Sequence, residues 1–140
     1  MAREDIAALI PHQGAMCLWE EVVDWDQERI RLVSHGHRDP AHPLRHNGRL
    51  HAVHLCEYGA QAMAVHGGLV AHAAGAAVKP GMLVSLRGVE LNVERIDDLP
   101  GALEVEAHCL IADASGSLYA FVIRHAGAEL ARGRAGVMHR

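Results

Sequence analysis

At 140 residues, half of them hydrophobic, the chain suits one domain with a sizeable core and does not need disulfides to stay folded. Its 13 basic and 17 acidic side chains are well mixed and leave a net charge of −4, which argues against a nucleic-acid surface and favours a small molecule or a protein-borne substrate. The three cysteines, Cys17, Cys56 and Cys109, are far apart and lack a C-x-x-C pattern, so they read as small core residues in a reducing cytoplasm.

Taken in chain order, "REDIAALI" at 3–10 reads as a short helix ended by Pro11. The segment "MAREDIAALIPHQ" lacks a signal peptide's layout, and no apolar run approaches the roughly 20 residues of a membrane span, so a cytoplasmic location is expected. Residues 17–26 and 29–35 are strand-like, with Asp26-Gln27-Glu28 as their turn. Residues 36–48, punctuated by Gly36, Pro40, Pro43 and Gly48, form an irregular loop. Asn47 is a plausible N-cap for a helix running to about His66, where Gly67-Gly68 suits a stop. Four strand candidates follow at 81–94, 103–113, 117–125 and 128–137, joined by "DDLPG", "DASGS" and "AG". Such short connections make neighbours antiparallel. Leu103, Val105, Ala107, Cys109 and Ile111 mark one face of their strand, opposite Glu104, Glu106, His108 and Leu110. The fold class is therefore α+β, with a long antiparallel sheet curling around one central helix.

That helix poses a chemical question. Residues 50–77 hold Glu57 as their one residue among Asp, Glu, Lys and Arg. An exposed helix acid is common, yet this segment shows no solvated charged face. Gln61 at i+4 and His54 at i−3 share its side of the helix and would satisfy a carboxylate that is expensive to bury alone. Twelve histidines invite a metal reading, but His51, His54 and Glu57 are turned too far around the helix to form a zinc set, so no metal is expected. The serines lie in no nucleophile elbow.

"IPHQGAMCLWEEVVDWD" (10–26), "LCEYGAQAMAVHG" (55–67), "RIDDLPGALEVEA" (95–107) and "GRAGV" (133–137) together resemble the β-hydroxyacyl-ACP dehydratases. With "HPLRHNGRL" (42–50), the chain is similar to the dehydratase-like proteins of aryl-polyene-type pathways. The resemblance implies a single hotdog domain over 1–140, no cofactor, and a dimer whose site lies between subunits. It also implies loss of water from a 3-hydroxyacyl thioester on acyl carrier protein, giving the trans-2-enoyl thioester. A loop histidine would take the C2 proton and the helix acid would protonate the departing C3 hydroxyl.

On this reading Glu57 is the acid, and apolar surroundings are the general means of keeping a carboxyl protonated. The family's histidine stands fourteen residues before the acid, where this chain has Pro43. His42 is one residue further away and is the first candidate for the base, with His46 second and His54 third. The family's Pro-Gly at the helix start is replaced by His51 and Ala52, so the N–H of Ala52 or Val53 is left to polarise the thioester carbonyl. His12, after Pro11, would line the acyl tunnel or hold its loop, and Gln61 and His46 complete the substrate-binding set. Tyr58 and Met63 read as core. Two alternatives stand beside the enzyme: a catalytically weak or inactive dehydratase-like subunit that acts by pairing with an active paralogue as a heterodimer, and a hotdog thioesterase using the same acid.

Overall fold

A computed structural model of the chain describes residues 5–6, 8–9, 17–76 and 81–139. Strands β1 (Glu21–Trp25), β2 (Arg29–Ser34), β3 (Gly81–Leu91), β4 (Leu103–Ala112), β5 (Gly116–His125) and β6 (Ala128–His139) form one sheet in the order β1-β2-β4-β5-β6-β3. Every neighbouring pair is antiparallel. Helix α1 (Leu55–Ala73) packs against strands β2, β4, β5 and β6, preceded by a short 3-10 turn at Ala52–His54. This is the hotdog architecture expected from the sequence.

The core sits between helix and sheet. Leu55, Tyr58, Ala62, Val65 and Leu69 of α1 meet Ile30, Leu32, Leu103, Val105, Phe121 and Ile123. Alternation on β4 holds at its first half, where Leu103, Val105 and Ala107 are buried. A bulge between Cys109 and Ile111 then breaks the alternation, and Ile111 turns out to solvent.

Two helix boundaries differ from the sequence reading. Asn47 does not cap α1. It occupies a tight turn with Gly48, at φ 51 and 72, closed by mutual backbone hydrogen bonds between His46 and Arg49. At the other end α1 runs through Gly67-Gly68 and stops at Ala73, with Gly75 in the left-handed conformation two residues later. Packing outweighs the weak helix propensity of glycine here. A Cβ on Gly68 would lie 3.0 Å from Cβ of Leu9 and 3.1 Å from its carbonyl oxygen. Of the expected 3–10 helix, Asp5 and Ile6 are helical, while residues 3, 4, 7 and 10, with Pro11 after them, lie outside the described residues.

Candidate active site

The approach to the site is built by the segment 17–20. Trp19 Nε1 donates to the Tyr58 carbonyl at 2.7 Å, and the Leu18 amide donates to Gln61 Oε1 at 2.9 Å. Ser34 at the end of β2 donates to the Leu18 carbonyl at 2.7 Å, tying segment, sheet and helix together. With its oxygen fixed by Leu18, the Gln61 amide presents Nε2 to Glu57 and donates to Oε1 at 3.1 Å. Gln61 is buried and Glu57 half-buried, so a buried amide orients a carboxylate on the rim of the helix.

His42 is brought to the same region from the loop before α1. Its ring is buried and shares a hollow of about 110 Å³ with Cys17, Leu18, Glu20, Asp39 and Tyr58. The Leu44 amide donates to Nδ1 at 3.1 Å, so the neutral ring carries its proton on Nε2, which donates to the Tyr58 hydroxyl at 3.0 Å. Burial pushes the imidazole below its ordinary pKa, and the nearby positive charge of Arg45 and the neighbouring His54 add to the effect. Burial also raises the Tyr58 phenol, which stays neutral as the partner of this ring.

Successive helical side chains point about 100° apart. His42 therefore lies on the Tyr58 side of α1, while Glu57 and Gln61 form the adjacent side. The structure brings Glu57 to Gln61 and His42 to Tyr58. His46 is exposed on the tight turn, and His54 is half-buried at the start of α1. The Ala52 amide donates to the Glu94 carbonyl at 2.9 Å, which removes it as a donor to a thioester; Val53, 57% exposed on the same turn, is the remaining candidate. His12 lies outside the described residues. Sequence reasoning missed Tyr58 as a hydrogen-bonding partner, and it missed Arg45 altogether.

A family model described as ApeP-like, ApeP dehydratase, matches residues 4–140. The chain belongs to that family. Its function is accordingly of the dehydratase type. A chain of the dehydratase heterocomplex ApeI:P from Xenorhabdus doucetiae superposes with a TM-score of 0.87 at 23% identity, covering 96% of this chain and 90% of that one. A hypothetical thioesterase with coenzyme A from Streptococcus pneumoniae superposes at 0.66 with 11% identity, covering 99% and 97%. AziG of S. sahachiroi gives 0.66 at 16% identity, covering 94% and 97%. These likenesses show the hotdog fold of the ApeP-like chain. No protein among those with curated descriptions matches it.

Proposed function

We propose that the chain dehydrates a 3-hydroxyacyl thioester carried on acyl carrier protein, as one half of a two-subunit site. The observation that carries this is Glu57, a solitary carboxylate on an apolar helix, aimed by a glutamine whose own oxygen is fixed by Leu18. Glu57 in its protonated form gives its proton to the C3 hydroxyl, which leaves as water. An imidazole takes the C2 proton, and the electrons of that C–H bond form the C2–C3 double bond. The proton taken up by the imidazole is then returned to the carboxylate through solvent, restoring both groups. The Val53 amide supports charge on the thioester oxygen. His42 and Glu57 occupy different sides of α1, which supports a site completed by His42 of one subunit and Glu57 of the other.

The engagement of both His42 nitrogens favours a more specific form of this reading. In the isolated chain neither nitrogen offers a free lone pair: Nδ1 accepts from Leu44 and Nε2 carries the proton. The ring must exchange one contact before it takes a proton, and pairing with a paralogue is the event proposed to bring this about. Strand β3, at the sheet edge, exposes Met82, Leu83, Leu86, Val89 and Leu91, an apolar row suited to a second subunit.

The test is turnover of a 3-hydroxyacyl-carrier substrate by the chain alone and after addition of a second dehydratase-type subunit. An enoyl product that falls about 100-fold or more in Glu57→Gln is expected. Undiminished turnover in both Glu57→Gln and His42→Ala overturns the assignment, and a free acid as product would point to thioesterase chemistry instead.

A further inference from the structure

The loop between β2 and α1 contains almost no regular structure, yet one side chain gathers it. Arg45 Nε donates to the Asp39 carbonyl at 2.8 Å, Nη1 to the Gly48 carbonyl at 2.7 Å and Nη2 to the Arg38 carbonyl at 2.9 Å. The same Asp39 carbonyl accepts the His42 amide at 3.0 Å, and the Arg45 amide donates to the His42 carbonyl at 3.1 Å. The guanidinium therefore closes around the turn that carries the imidazole, including the Leu44 amide that holds Nδ1.

The guanidinium is in turn seated on Asp97. That carboxylate is 4% exposed and lies 3.9 Å from Nη1 of Arg45. It accepts the Leu50 amide at 2.8 Å, where the loop enters α1, and is paired with Arg95. Bonding to Arg95 and to the Leu50 amide holds its pKa far below the ordinary carboxylate range, so it is charged whenever the protein is folded near neutrality.

We propose that Arg45, seated on Asp97, is a positioning residue for His42: one planar fork ties the carbonyls of Arg38, Asp39 and Gly48 and so fixes the turn from which the ring projects. The effect on turnover rests on the reading of His42 as the base; the effect on the ring itself does not. A lysine cannot replace it, because an ammonium is a point charge without the fork that spans three acceptors. The charge has a second effect. His42 is faced by Arg45 and Asp39 from the loop, His37 from the 3-10 turn at Gly36–Arg38, Tyr58 and His54 from the helix and its entry, and Glu20 across the hollow. Of these, Arg45 exerts the largest electrostatic pull on the ring, and it pulls downward.

The experiment compares Arg45→Met and Arg45→Lys with the unmodified chain, using histidine NMR titration of the chain and turnover in the two-subunit assembly. The unmodified chain is expected to show His42 as the Nε2–H tautomer. Arg45→Met is expected to titrate His42 at higher pH and to move the acidic limb of kcat/KM the same way, with kcat lowered about 10- to 100-fold and KM little changed. Arg45→Lys keeps the charge, so the limb stays while kcat still falls. Unchanged His42 titration and tautomer in folded Arg45→Met overturn the proposal, and so does an unchanged His42 tautomer in Arg45→Lys, the variant to rely on if the methionine fails to fold. A moved titration with undiminished kcat upholds the brace and overturns the base role of His42, so the two readings fail separately.

Discussion

Gln61 joins two requirements in one amide. Its oxygen satisfies the buried Leu18 N–H and its nitrogen donates to Glu57, so the amide cannot rotate without breaking both. Gln61→Met would keep the volume but leave the Leu18 donor unpaired, at a cost of about 1–3 kcal/mol. Chemical denaturation of the isolated chain should show that loss, and turnover should fall with it because Glu57 is no longer aimed. Gln61→Glu should also lower turnover, since a carboxylate has no N–H with which to hold Glu57 Oε1. The pairing was legible in the sequence, because an isolated acid with a glutamine at i+4 marks itself against an apolar background. Arg45 was not legible. Its partners are main-chain carbonyls, which every residue possesses, so nothing in the side-chain pattern announces a fork that gathers a loop. Tyr58 was read correctly as buried, but its hydroxyl's partner sits sixteen residues away on an irregular segment.

At the scale of elements, the strands were readable because alternation and turn residues are local properties. The end of α1 was not, because it depends on contacts far away in sequence. Two glycines that resemble a stop signal, Gly67 and Gly68, instead continue the helix. At Gly67 nothing among the described residues lies within 4 Å of an added Cβ, so Gly67→Ala should stabilise the isolated chain by about 0.4–1 kcal/mol, mainly by restricting the unfolded state. Gly59 is the opposite case. A Cβ there would fall 2.8 Å from the Phe121 ring, which is also close to Gly133, where an added Cβ would meet it at 3.1 Å. Overpacking of this kind costs about 1–3 kcal/mol, offset by roughly 1 kcal/mol of helix propensity. Gly59→Ala should therefore lower the melting temperature while Gly67→Ala raises it, and a matched shift in both would refute the packing account.

At the scale of the molecule, the wrapped sheet leaves β3 as an open apolar edge and seals several imidazoles inside. A charge on the edge should leave the fold intact and weaken the proposed assembly: mixed with the second subunit, Leu86→Arg is expected to elute as a monomer where the unmodified chain is expected to elute as a pair. The sealed imidazoles make a different prediction. His37 donates Nε2–H to the Leu99 carbonyl at 2.8 Å, and His66 donates Nε2–H to the Asp26 carbonyl at 2.7 Å while its Nδ1 accepts from the Tyr119 hydroxyl. Burial lowers the pKa of both, as it does for His42. Between those depressed values and the ordinary value of about 6.5, the unfolded chain binds more protons than the folded one. Stability must then rise with pH through this window, level off above about pH 7 and fall as pH drops below 6.5, by up to about 1.4 kcal/mol per unit for each imidazole. The depressed carboxylates Asp24, Asp26, Asp97, Asp113 and Glu129 act in a separate window, losing their contribution only as pH falls through about 4 and below. Urea titrations of the isolated chain between pH 5 and 8 separate the two. A midpoint that is flat across that range would mean the buried rings accept protons in place, and the sealed interior described for His37, His42 and His66 would have to be abandoned.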